Sequence, residues 1–107
     1  MSLYAARIRS LPMSLSPSLP VLELYVRDGC TLCAETRQTL QSVLEQRVRR
    51  GAPIVRVREV NLAAHPELEP RLGALLPVLS LYGHELPLAM GGRTIERFLD
   101  RLLGTPT

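Results

Sequence analysis

The chain has 107 residues, enough for one domain built around one core. Its composition, 46% hydrophobic and 21% charged, is that of an ordinary globular chain, and no apolar run is long enough to span a bilayer. The net charge of +3 comes entirely from Arg, and three Tyr, one Phe and no Trp are too few to interleave with it as a nucleic-acid surface requires.

Residues 1–20 carry three Pro, five Ser and two Arg with no acid. Leu11-Pro12 and Ser16-Pro17 interrupt any amphipathic helix, so this stretch reads as a mobile N-terminal tail. Being Arg- and Ser-rich, it also bears some likeness to a transit peptide, and Met13 offers an alternative start.

The domain proper is expected at 21–104, with 105–107 as a short C-terminal tail. "VLELYV" is a short, nearly all-apolar run, which predicts a strand (β1, 21–26) in the sheet interior, covered on both faces. "RDG" turns the chain. From Thr31 to Arg50 the period changes, with Cys33, Leu40, Val43, Leu44 and Val48 on one face of a predicted helix (α1, 31–50). Arg47, Arg49 and Arg50 complement its negative dipole end, and Gly51 and Pro53 stop it. "IVRVREV" predicts a second strand (β2, 54–60) whose Arg56 and Arg58 suit a sheet edge. A strand–helix–strand order makes β1 and β2 parallel.

Pro66 opens a short predicted helix (α2) that ends near Gly73. "VLSLY" (β3, 78–82) and "ELPLAM" (β4, 85–90) flank Gly83-His84, which predicts a two-residue hairpin of the glycine-first kind. Pro87 places β4 at an edge. Ile95, Phe98, Leu99, Leu102 and Leu103 follow helical spacing (α3), closed by Gly104 and Pro106. The order is β-α-β-α-β-β-α. It predicts an α/β fold with a four-stranded mixed sheet, ordered β2-β1-β3-β4 and flanked by three helices.

The chain's only cysteines, Cys30 and Cys33, sit at the start of α1. A C-x-x-C here is compatible with a redox pair, half a metal site or a staple. A zinc set would need His65 and His84, which follow no metal-ligand spacing, so no metal is expected. As a staple the loop is too short to constrain the unfolded chain much.

With these elements in place the sequence resembles the glutaredoxin-like branch of the thioredoxin-fold superfamily. The likeness rests on Gly29-Cys30-Thr31-Leu32-Cys33 after a strand, Arg71-Leu72-Gly73, Leu76-Pro77-Val78-Leu79 before the third strand, and Gly91-Gly92 before the last helix. It covers roughly 21–104. It implies a thioredoxin-like fold and a thiol–disulfide oxidoreductase that reduces protein or glutathione mixed disulfides. The alternative is a catalytically inactive binding or adaptor module on the same fold.

Dithiol exchange needs an attacking thiolate and a second sulfur near enough to resolve the mixed disulfide. Cysteines at i and i+3 on a first helical turn have Cα atoms roughly 5–6 Å apart, within disulfide range. Cys30 lies against the open helix amides and is expected to be the nucleophile; Cys33 resolves. Arg27 occupies the place of the family's cationic residue, where it would stabilise the thiolate or hold a glutathione carboxylate, while Asp28 opposes it. Pro77 matches the family's cis proline, which would aim the Leu76 backbone at an extended substrate. Gly91-Gly92 matches the region that binds the γ-glutamyl end of glutathione. There Thr94 supplies a hydroxyl, but Arg93 stands in place of the acid that would meet the ammonium. Leu32 adds apolar surface beside Cys30, favouring a protein or peptide substrate as much as glutathione. No bound cofactor is expected, glutathione being a candidate reductant only. A monomer in a reducing cytoplasm is expected, without nucleic-acid or membrane partners.

Overall fold

The structure is a computed structural model and describes residues 19–105. The tails expected at 1–20 and 105–107 therefore lie outside the described residues, except for residues 19, 20 and 105. The elements are β1 (Val21–Val26), α1 (Thr31–Arg50), β2 (Arg56–Asn61), α2 (Glu69–Leu72), β3 (Val78–Leu81), β4 (His84–Leu86) and α3 (Gly92–Leu103). The sheet runs β2-β1-β3-β4, with β1 parallel to β2 and antiparallel to β3, and β3 antiparallel to β4. This is the expected order, count and direction of elements.

Leu22, Leu24 and Val26 alternate along β1 and are buried, whereas Val21, Glu23 and Tyr25 on the other face are only half-buried. β1 is central in the sheet but is not covered equally on its two faces. The reason lies in the connection between β2 and β3. Instead of one helix opening at Pro66, it is a chain of single turns at Leu62–Ala64, Pro66–Leu68, Glu69–Leu72 and Gly73–Leu75. Pro66 and Pro70 lack the N–H groups that would carry an i→i−4 ladder through it. So short a layer leaves the second face of the sheet partly open.

α1 supplies the main cover of the first face. Its buried stripe is Cys33, Thr36, Leu40, Val43 and Arg47, while Val48 stays exposed. The expected stripe is thus rotated: two polar residues occupy core positions because the fold satisfies their polar atoms. Thr36 Oγ1 donates to the Ala89 carbonyl at 2.6 Å. Arg47, fully buried, donates to the Pro53 carbonyl (2.8 Å), Asp100 (2.6 Å), the Gly104 carbonyl (3.0 Å) and Glu96. Arg47 is therefore no solvated dipole partner; it ties the end of α1 to α3. Val48 instead lines an open apolar groove of about 360 Å³ with Leu44, Ile54 and Val57, between α1 and β2. α1 ends at Gly51, whose φ of 72° is the left-handed conformation that glycine adopts without strain. There the Ala52 N–H reaches the Arg47 carbonyl and the Gly51 N–H the Val48 carbonyl, the paired bonds of a Schellman cap.

The hairpin differs from expectation by one residue. Its register pairs Leu81 with His84, so the two turn residues are Tyr82 and Gly83, both at positive φ (53° and 78°). Both central residues of a type I′ turn are left-handed, and that twist matches the flanking strands. β4 is also shorter than expected, because Pro87 has no N–H with which to continue the ladder.

Candidate active site

Gly29, at φ 75°, makes the turn that brings the end of β1 onto the start of α1. Cys30 follows as the N-cap of α1, with extended backbone, and its sulfur accepts the backbone N–H of Cys33 at 3.1 Å. That N–H is one of the orphan donors that every helix N-terminus leaves open. The two sulfurs are joined in a disulfide, with Cα atoms 5.2 Å apart. Cys30 is half-buried and reachable; Cys33 is 1% exposed and belongs to the core.

Around Cys30 lies a polar recess of about 510 Å³, lined by Arg27, Asp28, Thr31, Arg37, Glu59 and Asn61 among others. Its cations are already paired, and its acid Asp28 is held by a neutral amide. Arg27 donates to Glu69 at the start of α2, Arg37 to Glu59 at 2.6 Å, and Asp28 accepts from the Asn61 amide at 2.8 Å. Asn61 also caps the following turn by accepting from the Ala63 N–H. Gly73 leaves room for the Arg27–Glu69 pair, since a Cβ there would overlap the Glu69 carboxylate. The Arg37 hydrogen bond, outweighing burial, holds the Glu59 carboxyl below its ordinary value of 4.5. Arg27 thus lines the recess with Cys30, its guanidinium engaged by an acid that sequence reasoning did not connect to it.

The peptide bond Leu76-Pro77 is cis. Leu76 is extended (φ −66°, ψ 144°), and among the described residues no loop or cap hydrogen bond uses its backbone N–H or C=O. Its neighbours do bond: the Leu88 N–H donates to the Leu75 carbonyl and the Ala89 N–H to the Pro77 carbonyl. The 88–89 segment therefore runs beside 75–77. Thr36 holds that segment to α1 through the Ala89 carbonyl, with Met90 Sδ 3.5 Å from the same hydroxyl.

The remaining expected residues sit elsewhere. Gly91 is the N-cap of α3, and Gly92 approaches Thr39 and Val43, about two and a half to three and a half helical turns along α1 from Cys30. Exposed Arg93 lines a hollow with Gln46, Arg50, Glu96 and Arg97, and Thr94 lines another with Leu86 and Arg101. Neither hollow includes a cysteine. Thr36, Asn61 and Glu69 were missed. Only Thr36 left a signal, a hydroxyl on an otherwise apolar helix stripe. Among the described residues no three His, Cys, Asp or Glu side chains converge as metal ligands would, and no helix is long and apolar enough to cross a membrane.

The sequence profile of the Glutaredoxin-like domain (DUF836) matches residues 21–102. The chain belongs to this glutaredoxin-like family. Its fold is thioredoxin-like, and similar solved structures agree. The X-ray structure of target protein XcR50 from X. campestris is 30% identical, with a TM-score of 0.59 over 75% of this chain and 96% of that one. The solution structure of XcR50 gives 30% identity and a TM-score of 0.57, over 75% and 92%. No curated protein matches the chain. A glutaredoxin-like domain carrying the Cys30–Cys33 pair at its first helix is a thioredoxin-fold redox module.

Proposed function

We propose that this glutaredoxin-like protein is a thiol–disulfide oxidoreductase that uses the Cys30/Cys33 dithiol to reduce protein disulfides or glutathione mixed disulfides. One observation carries the reading: a reachable N-cap sulfur bonded to a buried mate one turn on. As a thiolate, Cys30 gains from the Cys33 N–H and the positive end of α1. It attacks one sulfur of the substrate disulfide, forming a mixed disulfide and expelling the other sulfur as a thiolate, which takes a proton from water. The Cys33 thiolate then attacks the Cys30 sulfur and releases the second substrate thiol. Two electrons and two protons pass from the protein dithiol to the substrate. A thiol such as glutathione, or a dithiol protein, restores the dithiol by the same exchange run in reverse.

The extended backbone of Leu76, beside Pro77, supports its role as the rail on which an extended substrate is held. Arg27 contributes positive potential to the recess, tempered by Glu69. Gly91, Gly92, Arg93 and Thr94 would meet a glutathione only at its far end, and Arg93 sets a like charge against its ammonium. A protein that keeps its dithiol reduced belongs in a reducing compartment such as the cytoplasm.

The test is turnover of a disulfide substrate by the reduced protein, with Cys30→Ser abolishing it and Cys33→Ser accumulating a mixed disulfide on residue 30. Absence of turnover, with partner binding retained in Cys30→Ser, would leave the adaptor reading instead.

A further inference from the structure

Among the described residues, the charged side chains lining the recess at Cys30 are Arg27, Asp28, Arg37 and Glu59, two cations against two acids. Glu69 upsets that balance. It opens α2, and both of its carboxylate oxygens accept from the Arg27 guanidinium. Arg37 is taken by Glu59, at 2.6 and 3.0 Å. Asp28 accepts from the Asn61 amide, a neutral partner, at 2.8 Å. One acid is therefore left over, two residues from Cys30. The positive end of α1 does not cancel it, because that end meets the Cys30 sulfur and is offset by the thiolate itself.

The pairing of Arg27 is built into the chain. Gly73 lies four residues after Glu69, with φ −56° and ψ −38°, an ordinary helical conformation open to any residue. Its conformation does not call for glycine; space does. A Cβ at residue 73 would overlap the Glu69 carboxylate and lie 3.1 Å from Arg27 Nη2. The glycine of the Arg71-Leu72-Gly73 stretch thus makes the room in which an acid sits against Arg27. Both side chains of the pair are nearly half exposed, so it adds little to stability. Its larger consequence is for the charge that an approaching substrate meets.

We infer that the recess selects disulfides carrying a cationic group beside the sulfur that Cys30 attacks, with Asp28 as the attracting acid and Glu69 as the positioning residue that keeps Arg27 from answering a carboxylate. This rests on the proposed dithiol exchange and names its substrate class: a cysteine next to Lys or Arg, or the disulfide of a small amine, ahead of glutathione with its two carboxylates against one ammonium. The exchange is unaltered. The Cys30 thiolate bonds to the cation-bearing sulfur, the substrate S–S bond breaks, the other sulfur leaves as a thiolate that takes a proton from water, and Cys33 resolves.

The experiment uses the reduced full chain and mixed disulfides of thiopyridine, a neutral leaving group read by absorbance. Its partners are cysteamine (cationic), mercaptoethanol (neutral) and mercaptopropionate (anionic). Each rate is divided by that of free mercaptoethanol with the same probe, which removes the probe's own reactivity. The ratio of the cationic to the anionic probe then cancels any change in how much of Cys30 is thiolate. At low salt this ratio should be about fivefold, falling toward one in high salt.

Glu69→Gln should lower the ratio severalfold by freeing Arg27. Gly73→Ala, which alters no charge and turns the Glu69 carboxylate aside, should do the same. A merely structural role for either residue would change all three rates together and leave the ratio where it was. Asp28→Asn should bring it near one. A capped Cys-Lys peptide probe reads the source of the cation: faster than the cysteamine probe, it belongs to a polypeptide; slower, to a small amine; both uphold the inference. A wild-type ratio of one or below, or a ratio unmoved by either Glu69→Gln or Gly73→Ala, would overturn it. Failure of the underlying exchange looks different: no probe reacts faster than with the free thiol, and Cys30→Ser changes none of the rates.

Discussion

The backbone N–H of Cys33 donates to the sulfur of Cys30 across 3.1 Å, closing the first turn of α1 with a cysteine where a Ser, Thr or Asp would ordinarily stand. The bond needs only the backbone of residue 33. Cys33→Ser should therefore leave residue 30 unusually reactive: at neutral pH, iodoacetamide should modify it severalfold faster than free cysteine. Alkylation followed by mass spectrometry measures both rates. Equal rates would mean that the helix start does not stabilise the thiolate.

Arg47 is the residue whose loss should cost most away from the redox site. Arg47→Met strands the Pro53 and Gly104 carbonyls and leaves Glu96 and Asp100 without their shared cation, although Arg50 remains near Glu96 at 3.1 Å. Removing one partner of a buried ionic network costs roughly 3–5 kcal/mol, and the partly exposed carboxylates put this case at about the lower end. Urea unfolding of wild type and variant reads the difference directly.

Acid should weaken the fold through two surface carboxylates. Glu59 is held below its ordinary value of 4.5 by its hydrogen bond to Arg37, and Glu23 likewise by its bond to Arg58, burial opposing both. A carboxyl lowered in the folded state contributes its full stability above the unfolded value. The contribution is lost as the pH falls below the ordinary carboxylate range and through the folded one. Because both pairs are solvent-accessible, each is worth at most about 1 kcal/mol. The double variant Glu23→Gln, Glu59→Gln should unfold more easily than wild type at pH 7, with the gap narrowing on acidification and in high salt.

Tyr82 should be improvable. It is 63% exposed and held at φ 53°, so its side chain gains little to offset its backbone. Tyr82→Asn creates the Asn-Gly pair that type I′ turns favour and should stabilise the domain by about 0.5–1 kcal/mol in thermal or urea unfolding.

Much of the fold was legible because apolar periodicity and breakers agree over long stretches. The nearly all-apolar run at 21–26, the capped helix from Thr31 to Gly51 and the stripe from Ile95 to Leu103 each state their class and place. The cysteine pair was legible because its spacing and its position after a strand carry a specific chemistry. What escaped is what residue type conceals. Arg47 read as a cation at the helix end, and only partners far along the chain, Glu96 and Asp100 for Arg47 and Ala89 for Thr36, allow these two residues inside. The hairpin turn slipped by one residue because nothing local marks Tyr82 as left-handed; the pairing of Leu81 with His84 imposes it. The neutralisation of Arg27 by Glu69 was hidden for the same reason, the two lying on separate elements.

The hydroxyl of Thr36 meets a carbonyl 53 positions later in the chain, and that distance has a bearing on how the protein is made. During synthesis both thiols leave the ribosome well before the segment that will wall them in. Until Ala89 has itself emerged, the nascent chain presents two thiols without the segment that closes over α1 through Thr36.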